Sequence, residues 1–429
     1  PADPPQPGLD AAYRLRAGNC LKPTPMKSIR KLTLAIPNRD DYYLNIALGM
    51  MKAFAQRGVE CLIADDASEP ESFRRHLGEN RPDAIFEINR TRNQSGDLIP
   101  RDIPHIAWLQ DMRCHGRLHC ADRQFGGSEI VYTLLHPENF GLDPAAHPQA
   151  KWGVLHTGVD SDIFHPDASA RPSRQFALCG YLPLLIPGGF EDHVPFVAAN
   201  GKTLTLGEMR SCLLVEHQAG IGKLNLPDVH RLILDKINAS FGSGLSLAQF
   251  HELFGQPESF GGWPFLLYLD TELPRIPERT RLIDAAIRLG DLEIYGPQSW
   301  LGWPNYRPYY RRMLAWRSEL ADIYRTTRIN LHNGAFGMHS RVLECMASGG
   351  AIAVNATDFD DRGQDIGANF EEGVHYIRYD FDNVDAVLAA HAADPQRLAA
   401  IGRAAAQAVT ARHLWCHRID TILADIAAL

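Results

Sequence analysis

A segment in the last third of the chain places glycines, a helix start and one isolated acid in a fixed order. Gly334 and Gly337 precede a mostly apolar stretch in which Glu344 is the single carboxylate. The first turn of a helix carries unpaired N–H groups and a partial positive charge, and glycines let a backbone approach a ligand closely. The residues predicted to hold a phosphate here are Gly334, Gly337, Met338, His339, Ser340 and Arg341.

Glu344 lies one turn inside this predicted helix, which runs from about residue 339 to residue 348. Helical side chains lean toward the N-terminus, so the carboxylate would reach ribose hydroxyls just beyond the phosphate. A lone carboxylate among buried neighbours also needs a reason. A structural alternative stays open, in which Ser340 only caps the helix, Glu344 is solvated and the glycines only permit turns.

The elements that must position these residues are two strands and the helix between them. Residues 328–332 and 351–355 have the short apolar patterns of strands, so the helix is a crossover between parallel strands. Ligands of such sheets collect at the carboxyl ends of the strands. The same alternation of strand and helix from residue 31 onward predicts an α/β protein with parallel sheets.

Two segments together resemble the donor-site signature of GT-B glycosyltransferases: residues 321–332 (ADIYRTTRINLH) and residues 340–349 (SRVLECMASG). They are most similar to the CgeB-like, spore-maturation-type branch of the glycosyl transferases of group 1. Further stretches follow the same family's order: 292–297 (LEIYGP), 376–380 (YIRYD), 394–398 (DPQRL) and 417–420 (HRID). In the first half the resemblance is patchier, at 103–111 (IPHIAWLQD) and 156–160 (HTGVD).

The resemblance implies a GT-B fold, in which two Rossmann-like domains face each other across a cleft. It predicts these parts of the chain: a Pro-rich arm (1–28), an acceptor domain (29–165), a donor domain (166–410) with a largely helical insertion (about 186–275), and a C-terminal helix (411–429) that could return to the first domain. The insertion would be the natural place to bind a protein partner.

The resemblance also implies roles for single residues. Glu344 corresponds to the acid that holds the nucleotide ribose, and Tyr295 and Gly296 are expected near the base. Asp111 is expected to orient an acceptor hydroxyl, or to act as the base of an inverting reaction; capping a turn is its structural alternative. Phe336 stands where many retaining relatives have a second acid, so the contact to the sugar is unassigned.

The residue that neutralises the donor diphosphate is open between three arginines and the helix dipole. The relatives place an Arg and a Lys after the first strand of the second domain, where this chain has neither. The candidates are Arg341, Arg279 and Arg281.

Composition limits the remaining possibilities. The net charge of −8 in 429 residues, without a Lys/Arg cluster, argues against nucleic acid. No apolar run is long enough to span a bilayer, so we expect a cytoplasmic protein, with peripheral attachment at the inner membrane face left open. The eight cysteines have no disulfide or zinc-finger spacing, and the Cys114–Cys120 cluster fits no metal motif, so neither a metal nor another cofactor is expected.

The sequence therefore predicts a glycosyltransferase of a bacterial glycoconjugate pathway. It would move a sugar from a nucleotide sugar, with UDP favoured by the family, to a glycan, protein or lipid-linked acceptor. The resemblance implies a retaining, metal-independent reaction. Two alternatives stay open: a sugar-nucleotide epimerase of the same fold, and a non-catalytic GT-B partner module.

Overall fold

The structure is a computed structural model, in which the described part of the chain consists of residues 29–65, 69–111, 113–114, 117–118, 125–126, 129–183, 195–197, 200–201, 203–205, 226–254, 275–357, 360 and 365–429. The strands of this part are β1 (Lys31–Ala35), β2 (Glu60–Ala64), β3 (Ala84–Ile88), β4 (His105–Leu109), β5 (Arg113–Cys114), β6 (Arg117–Leu118), β7 (Glu129–Thr133), β8 (Lys151–Val154), β9 (Arg174–Cys179), β10 (Pro195–Val197), β11 (Thr203–Thr205), β12 (Leu292–Tyr295), β13 (Tyr310–Arg312), β14 (Thr327–His332), β15 (Ile352–Asn355) and β16 (Ile377–Tyr379).

The helices of the same part are α1 (Asp41–Gln56), α2 (Pro70–Asn80), α3 (Arg92–Ser95), α4 (Leu226–Phe241), α5 (Leu247–Phe254), α6 (Arg275–Leu289), α7 (Arg317–Arg325), α8 (Ser340–Ala347), α9 (Ile366–Asn369), α10 (Val384–Ala392), α11 (Pro395–Arg412) and α12 (Trp415–Ala427). Within the described residues, no helix combines the length and the apolar character that a membrane crossing requires.

Two parallel sheets organise the chain, and each has six strands among the described residues. The first sheet has the order β2-β1-β3-β4-β7-β8 and the second the order β13-β12-β9-β14-β15-β16. All neighbouring strands in both sheets run parallel. The predicted α/β architecture with two Rossmann-like domains is therefore confirmed.

The strand order of the second sheet indicates where this sheet can bind a ligand. In the second sheet the chain leaves β9 toward β12 on one side and later returns to β14 on the other. Ligands of such sheets bind at this switch, outside the carboxyl ends of the two central strands. These ends lie at Cys179 and His332. Helix α8, which carries Arg341 and Glu344, is the next helix after β14.

The first domain has an apolar core in which the C-terminal helix takes part. Trp415 of α12 packs edge-to-face on the fully buried Trp108 of β4, with ring centroids 6.2 Å apart. On the outer side, Arg57 and Asp420 form an ion pair in which Nε and Oδ1 are 2.6 Å apart. The helix at the end of the chain thus returns to the first domain and ties it to the second.

The connection between the domains is also held by polar contacts. The N–H of Val159 donates to the carbonyl of His413 at 3.0 Å, and the N–H of Trp415 donates back to the carbonyl of Val159 at 3.2 Å. Lys52 of α1 forms an ion pair with Asp160, with Nζ and Oδ1 3.0 Å apart. Because α1 and the connection border the same crevice, these contacts set the distance between the two halves of the site.

Less than half of the insertion belongs to the described chain. Its described elements are the helices α4 and α5 and the antiparallel pair β10–β11, so helices are accompanied there by a small hairpin. Most of the Cys114–Cys120 cluster lies outside the described residues. The predicted partner surface on the insertion stays a prediction.

Candidate active site

Helix α8 places one basic and one acidic side chain toward a crevice because its other faces are apolar. Val342, Leu343, Cys345, Met346 and Ala347 are buried in the core of the second domain. Arg341 and Glu344, three positions apart, share the remaining face. The helix begins at Ser340, and its N-cap is His339, whose Nδ1 accepts the N–H of Arg341 at 3.2 Å.

The glycine loop before α8 is occupied by the protein itself. The N–H of Met338 donates to the carboxylate of Asp365 at 2.9 Å, and Met338 is fully buried. A Cβ at Gly334 would lie 2.5 Å from Nε2 of His332, and a Cβ at Gly337 would lie 2.4 Å from Cγ2 of Ile366. The two glycines therefore permit close packing of protein groups, and the amide of Met338 already has an anionic partner.

A cavity of about 350 Å³ lies between the two domains. The predicted donor residues that line it are Ser340, Arg341, Glu344, Tyr295 and Gly296. The predicted donor residues outside its lining are Gly334, Gly337, Met338 and His339. The first domain contributes the start of α1 with Asp41, Tyr42, Asn45 and Ile46.

Gly296 of this lining is required by the approach of two strand ends. Its φ is +158°, and a Cβ there would lie 1.8 Å from the carbonyl oxygen of Gly180. The end of β12 can therefore come against the end of β9 only because this position has no side chain. The close approach forms one wall of the cavity.

Glu344 is paired inside the cavity with an arginine that the sequence analysis did not single out. Nη2 of Arg317 is 2.6 Å from Oε1 of Glu344, and the exposed side-chain fractions are 20% and 12%. Burial raises the pKa of the Glu344 carboxyl, and the charges of Arg317 and Arg341 oppose that rise. The carboxylate sits in a desolvated place, as expected of a group that recognises a ligand.

Positive charge concentrates at the switch between β9 and β14. A Cβ at Gly180 would lie 3.3 Å from Nη1 of Arg341 and 3.6 Å from Nη1 of Arg279. The guanidinium of Arg275 lies over the ring of Tyr181, 4.8 Å from its centroid. Burial and the charge of Arg341 lower the pKa of Arg275 to about 10. Three arginines thus converge where the strand order predicts a ligand.

Two histidines beside this cluster stay neutral. The rings of His332 and His339 are 5.0 Å apart. Burial lowers the pKa of both, to about 3 for His339, and the neighbouring arginines lower it further. Neutral rings beside arginines leave the cluster strongly cationic and ready for an anion.

Of the three arginines proposed for the diphosphate, Arg341 lines the cavity, whereas Arg279 and Arg281 do not. Arg281 donates from Nε to the carbonyl of Phe381 at 3.1 Å and is exposed outside the cavity lining. Arg279 is buried and donates from Nη2 to the carbonyl of Asn333 at 2.8 Å. Arg275 was missed by the sequence analysis, although it lies four positions before Arg279 and therefore on the same helical face.

Asp111 lies on the opposite side of the crevice, at the end of β4. It accepts hydrogen bonds from the hydroxyl of Tyr43 at 3.0 Å and from Nδ2 of Asn89 at 2.6 Å. Asn89 has a φ of +58°, and its Oδ1 also accepts the N–H of Asp111 at 2.9 Å. Burial of the carboxylate raises its pKa, and the hydrogen bonds from Tyr43 and Asn89 oppose that rise, although the residue as a whole keeps an exposed surface.

Tyr42 links the Asp111 side to the Glu344 side. Its hydroxyl donates to Oε1 of Gln110 at 2.9 Å, and it lines the cavity. Burial of the hydroxyl raises its pKa, although the residue as a whole is 44% exposed, and the charges of Asp111 and Glu344 raise the pKa further. The hydroxyl therefore lies within electrostatic reach of both carboxylates. Tyr42 lines the cavity, whereas Asp111 does not.

Phe336 occupies the position of the expected second acid and has an apolar role. It packs against the cores of both domains, and its ring lies 5.7 Å from that of His339. Among the described residues there is also no group of three or more His, Cys, Asp or Glu side chains that could hold a metal ion.

Comparison with known protein families finds a match to one part of the chain. Residues 278–424 match the family model described as glycosyl transferase-like. A search of curated proteins finds no significant match.

Solved structures that are similar to this chain are distant from it in sequence. A glycosyltransferase from Rickettsia africae has 9% identity and a TM-score of 0.45, with 93% of this chain and 98% of that chain covered. Spinosyn forosaminyltransferase has 11% identity and a TM-score of 0.43, covering 94% and 100%. TarM of S. aureus, in a structure with UDP, has 7% identity and a TM-score of 0.44, covering 84% and 59%. At these values the similarities carry no argument about substrate.

The segment that matches the family runs from α6 to α12 and contains Arg279, Arg317, Arg341 and Glu344. This part of the chain is thus similar to the glycosyl transferase-like family, and the enzyme class that this similarity indicates is that of the glycosyltransferases.

Proposed function

We propose that the protein transfers a sugar from a nucleotide sugar, with a UDP-sugar as the favoured donor, to a hydroxyl of a glycan, protein or lipid-linked acceptor. The observation that carries this proposal is the cavity between the domains, in which Arg341 and Glu344 come from one helix of the glycosyl transferase-like domain and Tyr42 comes from the other domain. The CgeB-like branch predicted from the motifs is part of the proposal.

In this proposal the donor binds at the switch of the second sheet. Its ribose hydroxyls donate to Glu344, and its diphosphate meets Arg341, with Arg275 and Arg279 adding to the positive potential behind it. Anchoring the leaving diphosphate stabilises the charge that develops as the glycosidic bond to it breaks. Fixed cations can supply this without a metal ion, so we propose a metal-independent reaction.

The loop of Gly334, Gly337, Met338 and His339 has a supporting role in the proposal. It fixes the start of α8 through the contact of Met338 with Asp365, so that Ser340 and Arg341 face the cavity. Tyr295 and Gly296 form the wall expected near the base. The sugar is then directed toward the first domain, because α1 closes the opposite side of the cavity.

Asp111 is proposed to orient the acceptor hydroxyl and to accept its hydrogen bond. Tyr43 and Asn89 hold the carboxylate in one orientation, which is the kind of positioning that transfer reactions depend on. We propose retention of the anomeric configuration. The anomer of the product measures this directly, because a reaction in which Asp111 acts as a base opposite the leaving group gives inversion.

The decisive experiment supplies a panel of sugar nucleotides with and without acceptor extracts and follows release of free nucleotide and formation of product. Product that forms only when acceptor is present supports transfer. An epimer formed without acceptor would instead identify a sugar-nucleotide epimerase, and retained binding without any turnover would identify a non-catalytic module.

A further inference from the structure

Arg317 is a charged residue of the cavity for which the proposed transfer reaction has no role. It is the first residue of α7, and its side chain reaches across to Glu344 of α8, with Nη2 and Oε1 2.6 Å apart. The other side of its guanidinium lies on the ring of Phe164, 4.8 Å from the centroid. Phe164 is buried, so this ring is a fixed support.

The ion pair of Arg317 and Glu344 holds the Glu344 carboxylate in one orientation. The hydrogen bond from Arg317 engages Oε1 of Glu344, and no other described residue donates a hydrogen bond to Oε2. A charge-assisted bond of this length, with the cation stacked on a fixed ring, restricts the rotation of the carboxylate. One oxygen is fixed and the other is left for a ligand in the cavity.

The charged and titratable groups around Glu344 come from several elements. Arg317 of α7 and Arg341 of α8 favour its ionised form, whereas burial and the charge of Asp160 in the domain connection favour its protonated form. Tyr42 of α1, Tyr324 of α7 and Cys345 of α8 also lie within electrostatic reach of Glu344. Without Arg317, the charge of Arg341 would be left to favour the ionised form of Glu344, against burial and the charge of Asp160.

We propose that Arg317 is a positioning residue for nucleotide recognition, which keeps the Glu344 carboxylate charged and turned so that its second oxygen meets the ribose hydroxyls. This inference rests on the proposed function, since it takes the ribose of a nucleotide as the ligand of Glu344. A protonated Glu344 would lose the charge-assisted character of that contact, and the nucleotide would bind less tightly.

The test is calorimetric titration with UDP and with 2′,3′-dideoxy-UDP, on wild type, Arg317→Met and Arg317→Lys, between about pH 6 and pH 9. Methionine keeps the length of the aliphatic stem and removes the charge. Near neutral pH, Arg317→Met should bind UDP about tenfold more weakly than wild type. The deficit should shrink as pH rises, because ionisation of Glu344 returns, and Arg317→Lys should restore most of the affinity.

The dideoxy nucleotide isolates the ribose contact. Since it lacks both hydroxyls, its affinity should be nearly the same for wild type and Arg317→Met. An equal loss for both nucleotides, or a deficit in UDP binding that does not change with pH, would overturn the positioning role. Unchanged UDP affinity in Arg317→Met would do the same.

A matched control exists on the same segment. Arg312 and Glu319 form an ion pair with the same separation, Nη2 and Oε1 being 2.6 Å apart, but neither residue lines the cavity. Arg312→Met should bind UDP as wild type does at every pH. A change as large as that of Arg317→Met would show that the effect is not specific to the site.

The double variant Arg317→Met/Glu344→Gln keeps the test valid if Arg317→Met does not fold. Removing one partner leaves a buried charge unpaired, which is strongly destabilising. Removing both partners avoids this. The double variant should bind UDP no worse than Glu344→Gln alone; weaker binding would mean that Arg317 acts independently of Glu344. If wild type binds neither UDP nor the dTDP, GDP and ADP tried in its place, the proposed function itself fails, and this inference fails with it.

Discussion

The two domains place their buried histidines in opposite electrostatic surroundings. In the first domain His105 lies between Glu87 and Glu129, with Nε2 2.8 Å from Oε2 of Glu87. Burial alone would lower its pKa, but the two carboxylates outweigh burial and raise it. In the second domain His332 and His339 lie beside arginines, and burial and these charges both lower their pKa.

The arginines beside His332 and His339 indicate that the second domain is built to receive an anion. These two histidines lie at the carboxyl end of β14 and at the start of α8, whereas His105 lies at the amino end of β4. A sheet edge with Arg275, Arg279 and Arg341 and with neutral histidines has an excess of positive charge. The facing edge of the first domain presents Asp111 and tyrosine hydroxyls. This difference supports the proposal that a donor with a diphosphate binds to the second domain and that an uncharged acceptor hydroxyl binds to the first.

Among the substitutions that test this difference between the domains, the largest effect is expected at Asp111, on the proposed acceptor side. Asp111→Asn should lower turnover by about 100-fold or more, because the carboxylate that receives the acceptor hydroxyl is lost. The affinity for the donor nucleotide should stay the same, since Asp111 does not line the cavity. Steady-state kinetics and calorimetry on the same preparation separate the two quantities. Weakened donor binding with normal turnover would reverse the assignment of the domains.

The next effect is expected at the donor side. Arg341→Met should weaken nucleoside diphosphate binding by about 1.5–3 kcal/mol, as expected for a hydrogen bond to a charged group. Binding of the corresponding nucleoside, which has no phosphate, should change little. The matched control is Arg281→Met, on α6 and outside the cavity lining, which should bind like wild type. Equal losses for nucleoside and diphosphate would remove Arg341 from the phosphate contact.

A somewhat smaller effect is expected for Glu344→Ala. This change should weaken nucleotide binding by about 1–3 kcal/mol through loss of a charge-assisted hydrogen bond to ribose. Circular dichroism should show that the variant folds. Unchanged affinity in a folded variant would exclude Glu344 from the donor site and leave its pair with Arg317 as a structural contact only.

The smallest effect concerns acid stability of the second domain. The folded pKa of His339 is lowered to about 3, so the unfolded chain binds a proton below about pH 6.5 that the folded chain does not. Stability is therefore lost as pH falls through this window. His339→Asn keeps an N-cap side chain and should make the loss less steep by up to about 1.4 kcal/mol per pH unit. Urea unfolding of wild type and His339→Asn near pH 7 and pH 5 measures this loss of stability. An equal loss in both proteins would contradict a buried neutral His339.

The fold could be predicted from the sequence because strands of parallel sheets are short apolar runs with clear ends. The predicted strand at 328–332 agrees with β14 (Thr327–His332) and the one at 351–355 with β15 (Ile352–Asn355), each within one residue. Helix α8 begins within one residue of its predicted start. These elements are specified by local pattern, and tertiary packing does not move them.

The site could be predicted only where its residues lie on one element. Arg341 and Glu344 share a helical face, so their spacing indicates a common target. Arg317 and Tyr42 come from other elements, and nothing in their local sequence shows that they reach Glu344. The loop of Gly334 and Gly337 shows the converse: its pattern resembles a phosphate loop, but Asp365, distant in sequence, already accepts the N–H of Met338.

The most direct test of the account is a structure of the protein soaked with a nucleotide sugar. The account predicts that the ribose hydroxyls donate to Glu344, that the diphosphate lies within hydrogen-bond distance of Arg341, and that the sugar points toward α1. A nucleotide bound instead at the Asp111 edge of the first domain, or on the loop of Gly334 and Gly337 in place of the Asp365 carboxylate, would contradict it.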